Sequence, residues 1–249
     1  AWTTAAADNL DGKSMDFLKI LKSFEEFVYE ALTWLILLPR TLLRILWSPA
    51  RMTDYASGQL SSQSESRFSE AISPPLLLML CVLLSHAIDL GIRNSTHLAD
   101  GSLAAVVLSS EQGLLLYRTI SFGVWALAGA VYLLVRTGAV VNRETLRVPF
   151  YEQCYLVAPF ALLLSCSMSL LRVNGLAAVL LLLSTLLWFW LVQAAWLRRR
   201  SGFALWRSLV AATVVLLAGS IINLTVGYFL TQTSSPTAAQ GAATGQQTK

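Results

Sequence analysis

Residues 176–200 read LAAVLLLLSTLLWFWLVQAAWLRRR: 22 residues, Leu176 to Leu197, without one ionisable side chain, then Arg198, Arg199 and Arg200. A helix needs about 20 apolar residues to cross the hydrocarbon core of a bilayer. The run therefore reads as a transmembrane helix, and the three arginines as its stop on the cytoplasmic face. Trp188, Phe189, Trp190 and Trp196 read as an aromatic belt at that membrane–water boundary.

Four more runs of this kind lie around it. They extend over about Ile72 to Ile92, Leu114 to Val135, Cys154 to Leu171 and Phe203 to Leu230. With all five as spans, 14 of the 18 Lys and Arg residues fall on one side, leaving Arg93, Arg118, Arg172 and Lys249. Basic residues beside spans are held on the cytoplasmic side, so the amino end is expected inside and the carboxyl end outside. The expected fold is an all-α membrane protein of the cell inner membrane, multi-pass, with a periplasmic tail.

Composition agrees. Of 249 residues, 55% are hydrophobic and only 13% charged, about half the charged share of an ordinary soluble domain. A pI near 9.1 raises nucleic acid as a partner, but the basic residues flank apolar runs and form no soluble basic face. Attraction to anionic lipid headgroups accounts for them, at roughly 1 kcal/mol per basic side chain near the surface. Cys81, Cys154 and Cys166 lie in or beside apolar runs without paired spacing, so they read as small hydrophobes.

The chain divides into four segments. Residues 1–14 are polar, lack the apolar core of a signal peptide, and read as a disordered leader. Residues 15–71 hold amphipathic helices and a polar linker. Phe17, Leu21, Phe24, Val28, Leu32 and Leu35 recur every three or four positions, with Lys19, Lys22, Glu26 and Glu30 opposite. The purely apolar part, Ala31 to Leu38, is too short to cross. Pro39 is expected to interrupt this helix, a second short helix to carry Arg40 and Arg44 on one face, and Pro49 to end it. Together they read as helices lying in the cytoplasmic interface, with Arg40, Arg44 and Arg51 toward headgroups. A helix that fills a partner's groove is the alternative. Tyr55 to Glu70 reads as linker. Residues 72–230 form the five-span bundle, and 231–249, with nothing to bury, a disordered external tail.

Within the bundle, Ser73 suits an N-cap, with Pro74 and Pro75 in the first turn. Pro159 falls one turn inside the third span, where its freed carbonyl needs another partner. Two stripes of small residues favour close helix packing: Gly123, Ala126 and Ala130 on the second span, and Gly219, Asn223 and Gly227 on the fifth, with the Asn223 amide bonding across helices.

An ionisable residue at membrane depth is costly unless paired, which singles out His86 and Asp89, with Arg118 or Arg93 as counter-ion. One reading is a polar path through His86, Asp89 and Arg118; the other is an anchoring ion pair with a helix–helix contact at His86. Glu152, Gln153 and Tyr155 at the inner mouth of the third span read as interface anchors. Enzymatic templates fail. The sequence has no phosphate-cradling Gly-rich loop, no metal-ligand spacing and no nucleophile elbow, so neither cofactor nor catalytic residue is expected. Asn94-Ser95-Thr96 and Asn223-Leu224-Thr225 match the glycosylation pattern, the second inside a span.

Leu37-Leu38-Pro39-Arg40-Thr41-Leu42, Ser48-Pro49-Ala50-Arg51, Ile72-Ser73-Pro74-Pro75-Leu76 and Cys154-Tyr155-Leu156-Val157-Ala158-Pro159-Phe160, set in this topology, resemble the YIP (Ypt-interacting-protein-like) integral membrane family. The likeness is to its bacterial branch, which carries the permease label, and covers roughly residues 39–230. It implies a five-helix bundle engaged in membrane organisation, partner recruitment or solute passage. The expected role is a non-enzymatic accessory or membrane-organising protein, assembled with itself or another membrane component. The rival is a small-solute or proton-coupled permease, and a lipid-modifying enzyme stands third.

Overall fold

The computed structural model describes residues 2–62, 68, 70–93 and 111–232, and these contain seven helices and no strand. They are α1 (Trp2–Trp47), α2 (Pro49–Ser61), α3 (Pro74–Arg93), α4 (Glu111–Thr137), α5 (Arg143–Leu170), α6 (Gly175–Ser201) and α7 (Leu205–Gln232). Five of them, α3 to α7, are long and apolar enough to cross a membrane. The chain is an all-α, polytopic membrane protein. Residues 231 and 232 of the expected tail end α7, while its remainder, residues 233–249, and the Asn94 triplet lie outside the described residues.

Burial inverts the pattern of a soluble protein. In α5, 67% of the apolar stretch is buried inside the bundle, against 17% to 39% in the other spans. Yet α5 carries Glu152, Gln153, Ser165, Ser167 and Ser169, all buried. The Leu-rich α6 is the least buried, and Leu176, Val179, Leu180, Leu183, Leu187 and Leu191 line its outer face. Lipid tails are as apolar as leucine, so nothing drives α6 inward, whereas polar groups must find protein partners. Aromatic rings fill the centre. Phe160 stacks on Phe189 at 4.1 Å between ring centroids, and Trp125 packs against both at 5.0 and 6.0 Å.

Short turns set the order. Gly138 adopts φ +70° between α4 and α5, and Gly202 φ +68° after α6, a left-handed conformation that glycine adopts without Cβ strain. Asn174 caps α6 through the Ala177 amide. Asn142 opens α5 by accepting from the Glu144 and Thr145 amides, while its own amide donates to Thr145 Oγ1. These turns bring the ends of α4 and α6 and the starts of α5 and α7 to one face, where Arg136, Arg143 and Arg198 to Arg200 gather. We call it the basic end.

Several expectations need correction. The backbone is helical from Trp2, so residues 2–14 continue α1 instead of forming a disordered leader; Ala5, Ala6 and Ala7 have the best helix propensity. Pro39 sits inside α1 without ending it, and the chain turns instead at Ser48, by 118°. Pro49 starts α2, since a proline at N1 forgoes no helical hydrogen bond. The first part of the expected linker, Tyr55 to Ser61, is helical too, as α2 runs on to Ser61; burial of Met52, Thr53 and Ala56 against the bundle outweighs its polar composition. The bent pair α1–α2 reaches a span's apolar content only when its halves are joined across that bend. Finally, α5 begins at Arg143, not near Cys154, and runs through both Pro149 and Pro159.

Candidate functional site

Polar side chains meet at two depths in the bundle. At the basic end, three helices converge on Glu152 of α5, which is 1% exposed. Its Oε2 accepts from the Trp196 indole at 2.7 Å and from Arg200 Nε at 3.0 Å; its Oε1 accepts from Arg200 Nη2 at 2.5 Å. Such a two-pronged guanidinium–carboxylate pair fixes geometry as well as charge. Arg200 Nη2 also reaches Ser57 Oγ at 3.2 Å and Asp54 Oδ1 at 3.4 Å, and Arg199 donates to Asp54 Oδ2. Two acids and two arginines therefore strap α2 across α5 and α6. The Tyr155 hydroxyl donates to the Ile72 carbonyl at 2.8 Å, tying the start of α3 to α5.

The second group lies near the opposite end, around Asp89 of α3. This carboxylate accepts from Arg118 Nη2 on α4 at 2.8 Å and from Ser169 Oγ on α5 at 2.8 Å. Arg172, just past α5, approaches to 3.5 Å. The Asp89 side chain is 3% exposed, and His86, one turn earlier, is buried as well. Asp89 is thus a three-helix junction. The structure joins Asp89 to Arg118 and adds Ser169 and Arg172; the Arg93 side chain lies outside the description. Counting depth finds Ser169. From the Tyr155–Ile72 contact, Asp89 is 17 residues up α3 and Ser169 is 14 up α5 in the same direction.

Between these groups, Gln153 and Gln193 are almost wholly buried, and no atom of either side-chain amide has a hydrogen-bond partner among the described residues. Gly129 makes room for Gln153: a Cβ there would stand 2.6 Å from Gln153 Cδ.

The small-residue stripes pack differently from expectation. Ala126 and Ala130 are fully buried, but a Cβ on Gly123 would meet nothing within 4 Å, and Gly129 is the close-approach glycine of α4. Gly219 faces Trp125 inside the same chain, where a Cβ would come within 2.7 Å of the indole. Asn223 does not bond across helices through its amide; Nδ2 donates to Gly219 O on its own helix at 2.9 Å. Its carbonyl accepts from Tyr117 of α4 at 3.4 Å instead. The surroundings of Gly227 lie outside the description. Nor do the α6 aromatics form a belt, since Phe189 and Trp196 turn into the core. Among Arg40, Arg44 and Arg51, the last two share a cleft at the α1–α2 corner, whereas Arg40 is exposed and outside it. Among the described residues, no group of three or more metal-ligating side chains occurs.

No family model matches the chain, and no curated protein or solved structure matches it at a significant level.

Proposed function

We propose that this chain is a non-enzymatic accessory protein of the inner membrane that assembles with a second membrane component or with itself, as the YIP-like resemblance implies. The observation that carries the reading is the surface of α1. Phe24, Val28, Leu32, Leu35, Ile36, Leu43 and Trp47 follow each other at helical spacing and are all exposed, beside a bundle whose polar interior is tied by ion pairs. The basic bias of the loops supports an amino end in the cytoplasm, and in this reading α1 and α2 meet the membrane from within, at the interface. An apolar stripe of this length is a surface for lipid or for a partner helix.

Replacing Leu35 and Ile36 together by Gln should shrink the complex purified from native membranes while the bundle melts as before. An unchanged complex would contradict the reading. The permease alternative is favoured by one observation, the buried Asp89–Arg118 pair at membrane depth. It requires solute flux that vanishes in Asp89→Asn while assembly survives; intact flux would remove it.

A further inference from the structure

The corner where α1 meets α2 holds an open cleft of about 580 Å³. Its walls combine two cations, Arg44 and Arg51, with apolar surface from Leu43, Trp47 and Tyr55. Neither cation is in an ion pair among the described residues, in contrast to Arg199 and Arg200 a short way across the same end. A second feature points to the same spot. Ser48 is the N-cap of α2, yet its hydroxyl makes no capping hydrogen bond, and it too lines the cleft. Behind Pro49, which has no N–H, the first-turn amides of Ala50 and Arg51 are left for an outside acceptor, at the positive end of a helix dipole. The opposing end of α1 is partly satisfied, since Ser48 N–H donates to the Arg44 carbonyl at 2.9 Å.

Charge, free amides and apolar wall thus converge on a ligand that is anionic at one end and oily at the other. The depth is right for one such molecule. Ala71, just before α3, also lines the cleft, so the two cations stand at the start of the first span, where the interfacial placement proposed above sets the lipid phosphates. From Leu43 and Trp47 the exposed face of α1 continues toward Leu35 and Phe24.

We propose that this corner binds one anionic phospholipid, with its phosphate between Arg44 and Arg51 at the open start of α2. Its acyl chains lie along Leu43, Trp47 and the stripe beyond. The inference rests on the interfacial placement of α1 and α2 in the proposed function, but not on any partner. Binding is therefore read on the isolated full chain, where loss of assembly leaves it untouched.

Native mass spectrometry of the full-length protein in detergent, titrated with phosphatidylglycerol or phosphatidylcholine, tests it. One phosphatidylglycerol should stay bound, with phosphatidylcholine at least tenfold weaker. Arg44→Gln with Arg51→Gln should weaken phosphatidylglycerol about 30-fold, and Arg51→Gln alone about fivefold. Since Arg51 is exposed, the single variant reads the site even if the double one does not fold. Arg40→Gln should leave binding unchanged, and Lys at both positions should restore most of it. Equal binding of the two lipids, or undiminished binding by Arg51→Gln, overturns the proposal. So does displacement of phosphatidylglycerol by soluble glycerophosphoglycerol at equal concentration, which would make the site one for a free phosphate ester.

Discussion

Helices α5 and α6 are neighbours of almost equal length, yet they divide the work of the bundle in opposite ways. Helix α6 is mostly leucine, alanine and aromatic up to its terminal arginines, with Gln193 and Thr185 as its buried polar residues, and it is the span least buried by protein. Helix α5 carries the buried Glu152 and Gln153, three buried serines and two prolines, and it is the most buried. In water that arrangement would be inside out. In lipid it follows from solvation: apolar side chains gain nothing by leaving the acyl chains, while each polar group needs a partner that only protein offers. Polarity, not apolarity, therefore marks the centre of this molecule.

The contrast fails if breaking a buried polar contact of α5 costs no more than trimming a lipid-facing leucine of α6. The largest effect is expected where a charge is deepest. Arg200→Leu leaves Glu152 buried without its cation, and should cost about 3 kcal/mol in a denaturant titration of the detergent-solubilised protein. A cost below about 1 kcal/mol would show that the Glu152 strap adds little. Arg118→Leu should cost somewhat less, about 2 kcal/mol, because Ser169 and Arg172 still serve Asp89. Gly219→Leu should lower the melting temperature by overpacking against Trp125, at about 1–3 kcal/mol, and should do so in the isolated chain. A change in complex size with unaltered melting would return Gly219 to an assembly seam.

At the small end of the range, Gln153→Met removes two unbonded buried polar atoms at similar volume and should leave stability unchanged or slightly raised. Marked loss of stability would reveal a bond that the fold depends on. Leu183→Ala, on the lipid face of α6, should shift the melt by no more than about 0.5 kcal/mol.

The five spans were legible in the sequence because length and apolarity decide a crossing almost without reference to other helices. Asp89 and Arg118 were legible as partners for a similar reason, since a charge at that depth requires one. Which way each helix faces was far less visible. Gly219 and Asn223 looked like an assembly seam, and only the fold places Trp125 opposite. Phe189 and Trp196 matched a belt by composition but turned inward, because Phe160 and Glu152 on α5 supply a stack and an acceptor. The start of α5 carries a local signal in Asn142 and Thr145, which form a capping box, but Arg143, Glu144 and Arg147 keep its first turns out of the apolar run that begins near Cys154. Strapping of α2 by Asp54 depends on contacts about 145 residues apart in sequence, as with Arg199, and no local pattern carries that.

Single cysteines probed with a membrane-impermeant maleimide, in intact cells and in opened membranes, give the most direct test. Placed at Gly58 on α2, Val140 between α4 and α5, Val173 between α5 and α6, and Ala204 between α6 and α7, they report four positions along the chain. Five spans with α2 strapped to the basic end require Gly58, Val140 and Ala204 to react from one side, the cytoplasmic one, and Val173 from the other. Gly58 reacting on the same side as Val173, or Val140 and Val173 on a common side, would contradict the architecture.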